Sequence, residues 1–126
     1  MPISIKTLSN LLFAVPLFMA VFFRLYYMIF FIGFVLIISS IYHIYDEKML
    51  SWLDTAAAFA LIGSNLVLVY LSRFKSPYFY MAMVFVAISF FFYFGQNSDN
   101  YSTYHSLWHI SSVIITIFCI LGYVHR

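Results

Sequence analysis

Charge is what this sequence has least of. Asp, Glu, Lys and Arg make up 8% of its 126 residues, against roughly 25% in a soluble domain. A chain so poor in charge lacks the surface to dissolve in water, which excludes a free-standing soluble domain. The net charge of +2 is too small to suggest a nucleic-acid partner. Cysteine is nearly absent too. Cys119 stands alone in an apolar run, so no intramolecular disulfide is possible and its role is packing. Internal repeats, low-complexity tracts and linkers are missing, and residues 1–126 read as one domain. Missing as well is the strict alternation of a membrane β-barrel, because the apolar runs are long and unbroken.

What is there is hydrophobic. Apolar residues make up 65% of the chain, and the mean hydropathy is +1.00. In lipid every backbone polar group must be satisfied internally, so unbroken apolar runs imply helices. The expected fold class is therefore all-α and integral to a membrane, a bundle of five transmembrane spans. They are placed at about 7–23, 25–45, 50–71, 78–94 and 103–123. Lys6 ahead of an apolar core resembles a signal peptide, but no small-x-small cleavage site follows and the apolar run resumes after Arg24. A single helix over 7–45 would be about 58 Å long, too much for a hydrocarbon core of about 30 Å. The run must fold back, and Arg24 is the charge at which it can turn. Asp46-Glu47-Lys48, the basic Arg73–Pro77 turn and the polar Gly95–Asn100 loop separate the remaining spans.

Basic residues set the orientation. Arg24, Arg73, Lys75 and Arg126 fall on one face; Lys6 and Lys48 fall on the other, beside Asp46, Glu47 and Asp99. That distribution predicts a cytoplasmic C-terminus. His43, at the end of the second span, then shares the non-cytoplasmic level with Asp54, about one turn into the third. His105 and His109, at the start of the fifth, reach the same level. The two fifth-span imidazoles are four residues apart, so a helix stacks them on one face about 6 Å apart along the axis. Ser39 lies one turn below His43 on the same helical face.

A lone membrane histidine is more often an interfacial polar group than a ligand. Three histidines and the only carboxylate inside a span, all at one depth, point instead to a site. Three neutral imidazoles suit zinc and leave a fourth tetrahedral position for water, as catalytic sites do. Asp54 would orient that water and accept its proton, and Ser39 would hydrogen-bond the water or a developing oxyanion. Ser64, Ser89 and Ser112 read as packing serines, Asn65 as an interhelical hydrogen-bonding residue and His125 as a solvated terminal one.

Ser39-x-x-x-His43, Asp54 eleven residues later, and His105-x-x-x-His109 in the last span together resemble the CREST superfamily of membrane hydrolases. That group includes alkaline ceramidases, the adiponectin and progestin receptor family and myomaker-like proteins. The stretch from Tyr101 to His109 is most similar to the ceramidase and myomaker branches. The resemblance implies zinc on His43, His105 and His109, with Ser39 and Asp54 serving the zinc-bound water. It implies hydrolysis of an amide, or less favourably an ester, in a membrane lipid such as a ceramide. The acyl chain is expected to lie among Phe and Met side chains. Family members have seven spans; two between the third and the last have no counterpart here, and a homodimer would supply the missing wall. The acidic N-terminal cluster that binds calcium in alkaline ceramidases also has no counterpart. Two other readings stand beside this one. The first is a non-enzymatic receptor-like or membrane-remodelling protein with a structural zinc. The second is a b-type haem protein using His43 and one fifth-span histidine.

Overall fold

The computed structural model describes residues 11–45, 48–97, 99 and 101–125; the side chains of residues 42–45, 48–52, 54, 101 and 102 lie outside that description. The expected first-span start at Thr7 and the Asp46–Glu47 turn therefore also lie outside it. Among the described residues there are five α-helices and no strand: α1 Ala14–Phe22, α2 Tyr26–Tyr45, α3 Lys48–Leu71, α4 Tyr78–Phe94 and α5 Tyr101–Val124. The described chain is all-helical. Four of the helices begin and end within about two residues of the apolar runs, because each run stops where charge, Pro or Gly interrupts it.

The turn after α1 forms at Arg24, with φ of 59°. Leu25 N–H donates to Ala20 O at 2.9 Å and Arg24 N–H to Val21 O at 3.2 Å, the paired bonds of a Schellman cap. α3 closes the same way: Phe74 N–H reaches Val69 O and Arg73 N–H reaches Tyr70 O, both at 3.1 Å, with Arg73 at φ 57°. An arginine thus takes the left-handed position usually given to glycine. Its charge lies beside the negative end of the helix dipole, which offsets part of that conformational cost.

The most extensive packing joins α4 to α5, then α2 to α3; α1 lies against α2 and α5, and α3 against α5. The α4 N-terminus meets the α5 C-terminus, where the Tyr78 and His125 rings sit edge to face at 5.5 Å. A Cβ on Gly122 would stand 3.3 Å from the Tyr78 Cβ, so glycine is what lets the helices close there. The core runs through Met28, Ile32, Val35, Leu61, Leu68, Val113 and Ile120. The outward faces are apolar as well: Phe22 is 80% exposed, Phe30 67%, Leu66 64% and Phe94 76%. Among the described residues one helical segment, Thr103–Val124, is long and apolar enough to cross a membrane, and shorter apolar stretches cover Tyr26–Ile41, Thr55–Leu71 and Tyr78–Phe94.

Consecutive helices usually pack side by side, but α3 and α4 make little contact. Between them, floored by α5, lies a cavity of about 420 Å³. This gap is the feature of the fold that positions the site.

Candidate metal centre

His105 and His109 lie on the first turns of α5, 5% and 4% exposed. Four residues on a helix bring both rings to one face, and the structure turns their Nε2 atoms towards each other at 2.9 Å, with ring centroids 4.5 Å apart. At that separation two neutral rings satisfy each other through one N–H···N bond, or both lone pairs face a shared cation. With Zn–N bonds of about 2.0–2.1 Å, tetrahedral nitrogens stand about 3.3 Å apart. The two rings need to open by only a few tenths of an ångström, so the pair fits zinc.

Aromatic rings hold these imidazoles in place. The Phe13 and His109 ring planes stand at 87°, with centroids 5.8 Å apart. Trp108 lies 5.4 Å from both His105 and His109 and is itself packed on Tyr93 at 5.1 Å. Trp108 falls inside the stretch singled out by sequence. Phe13 does not, because no spacing rule ties residue 13 to residue 109; the packing of α1 on α5 makes that contact.

Ser39 is fully buried on α2 and lines the same cavity as His109. Helix α2 continues through Tyr45, so position 43 follows one turn beyond Ser39 on the same stripe. On α3 the cavity is lined by Ala58, Leu61 and Asn65, which stand four, seven and eleven residues after position 54 and so share its stripe. The side chains of His43 and Asp54 lie outside the described residues. Among those described, no group of three or more His, Cys, Asp or Glu gathers at one point. Ser39, His105 and His109 are the expected site residues whose side chains the structure places, and Ser39 and His109 share a wall.

The cavity leads away from this end. On α5 it runs from His109 past Ser112 and Ile115 to Cys119, ten residues or about 15 Å. Val69, Met83, Val86 and Phe90 line its flanks, and Ser89 is a small polar interruption. The interhelical role expected of Asn65 is present: its Nδ2 donates to Thr116 Oγ1 at 3.1 Å. Ser64 and Ser112 donate to the carbonyls of Leu61 and Trp108 on their own helices, as packing serines do. Compared with known families, curated proteins and solved structures, the chain matches no family model, no curated protein and no solved structure.

Proposed function

We propose that this protein is a zinc-dependent hydrolase of a membrane lipid, built as a five-span bundle and cleaving an amide, or less favourably an ester. The observation that carries the reading is the pair of buried imidazoles, Nε2 atoms 2.9 Å apart, of which His109 lines one end of an apolar cavity. A structural metal has no use for a 420 Å³ slot leading to it; a lipid hydrolase needs one. The apolar outer faces of α1–α5 support a lipid surround.

His105 and His109, with His43 from α2, would hold the ion. Zinc when bound supplies Lewis-acid polarisation of a carbonyl and a water of lowered pKa. Asp54 takes the proton that the attacking water gives up and passes it to the leaving amine. Ser39 donates its hydroxyl hydrogen to the oxygen on which negative charge develops. Trp108 and Phe13 keep the imidazole planes fixed, so little reorganisation accompanies the step. The cavity holds the acyl chain and excludes water from everything except the reacting carbonyl.

The test is metal analysis of the purified protein followed by a screen for fatty acid released from ceramides and glycerolipids. About one zinc per chain, with acid released by the parent and not by Asp54→Asn, is expected. One zinc per chain retained in both proteins, with no acid released from any lipid, would favour the structural-zinc reading.

A further inference from the structure

Asn65 sits on α3 in the wall of the cavity, 7% exposed. Its Nδ2 donates to Thr116 Oγ1, and the Thr116 hydroxyl donates to Ser112 O at 2.9 Å. A hydroxyl has one proton, and this one is committed to Ser112. Thr116 Oγ1 must therefore accept from Asn65, which fixes the orientation of the amide. Asn65 Oδ1 is left as a buried acceptor with no hydrogen-bond partner among the described residues. Such an acceptor in an apolar wall is costly, and native structures rarely keep one without a use.

We propose that Asn65 Oδ1 is a specificity subsite, accepting a hydrogen bond from a hydroxyl group carried partway along the acyl chain of the lipid. The subsite's place along that chain rests on the hydrolase reading, since it is measured from the histidine pair. Thr116 follows His109 by seven residues, about 10.5 Å along α5. With C–C bonds near 1.5 Å an extended chain advances about 1.3 Å per carbon, which puts the hydroxyl at about the eighth or ninth carbon. A chain hydroxyl brings its own donor to this acceptor, whereas a lone buried water needs two to four polar partners. Around Asn65 on α3 the lining is apolar, with Leu61, Ile62, Leu66 and Val69, and the lining hydroxyls of Ser89 and Ser112 belong to other helices. Oδ1 is itself buried, so the donor reaches it once the side chains that cover it shift.

The test reads binding rather than turnover. Octadecanoic acid and its derivatives hydroxylated at carbon 2, 9 or 16 compete with a fluorescent polyene fatty acid for the purified protein in detergent. The acid hydroxylated at carbon 9 should bind roughly three- to tenfold tighter than the unsubstituted acid, the worth of one net hydrogen bond. Asn65→Leu should erase that preference and keep the affinity for octadecanoic acid. Equal affinities in the parent, a preference peaking at carbon 2 or 16, or a preference that survives Asn65→Leu each overturns the subsite. The positional series in the parent decides the matter even if the variant does not fold. A carbon-9 preference without hydrolysis of any lipid removes the hydrolase and leaves the subsite. Hydrolysis without positional preference does the reverse.

Discussion

The Nε2 atoms of His105 and His109 point at one another across 2.9 Å inside the bundle, one helical turn apart and almost wholly buried. Two imidazoles so placed share either a proton or a cation, and the proposed function requires the cation. His109→Ala and His105→Ala should each lower bound zinc from about one per chain by at least tenfold at equal free metal, the typical loss for disturbing a metal site being 10–100-fold. Elemental analysis after dialysis against a weak chelator measures it. Zinc retained by both variants would show that the ion is held elsewhere.

Asp54→Asn separates catalysis from architecture. The amide keeps the size of the carboxylate and loses its capacity to take a proton, so zinc content should stay at the parent level. Turnover should fall by about 10²–10⁴, the usual worth of a general base. Unchanged turnover would remove Asp54 from the chemistry.

These two tests rest on residues that are legible in the sequence. An i, i+4 histidine pair announces its own geometry, since the helix period alone brings the rings together. The helices were legible for a related reason: apolar runs bounded by Arg24, Pro77 and Gly95 end where the chain must turn. The gap between α3 and α4 was not. Local sequence carries no mark of which helices fail to touch, and the expectation for neighbours in sequence is contact. Asn65 shows the boundary between the two cases. Its polarity in an apolar run signalled an interhelical bond, while Thr116, 51 residues away, could be found only from the packing of α3 on α5.

That bond is open to a stability measurement. Thr116 is fully buried, and Thr116→Val removes its hydroxyl with almost no change in shape. Asn65 Nδ2 then loses its acceptor. The expected cost is about 1 kcal/mol, within the range found for hydrogen bonds between membrane helices. Equilibrium unfolding in mixed micelles reads it. Zinc content should not change, because Thr116 stands two turns below His109. A loss well above that figure would mean that the Asn65–Thr116 pair orders more of the bundle than the α3–α5 contact.

Glycines give the sharpest contrast in the molecule. A Cβ on Gly95 would stand 2.9 Å from Phe91 O and 2.9 Å from the Tyr104 Cε2. The Tyr104 ring can move aside, but the Phe91 carbonyl belongs to the last turn of α4, so that turn has to shift as well. Tyr104 immediately precedes His105 and packs on Phe91 and Phe92, and moving it carries the first imidazole of the pair with it. Gly95→Ala should therefore cost about 1–3 kcal/mol, as overpacking does, and should weaken zinc binding as well. Gly33 and Gly63 are helical, and a Cβ there meets nothing within 4 Å. Alanine at either should stabilise by about 0.5–1 kcal/mol through the lost freedom of the unfolded chain, with zinc affinity unaltered. Parallel unfolding and metal titrations of the three variants would separate these effects. If Gly95→Ala behaved like Gly33→Ala, the α4–α5 corner would not be what orients His105.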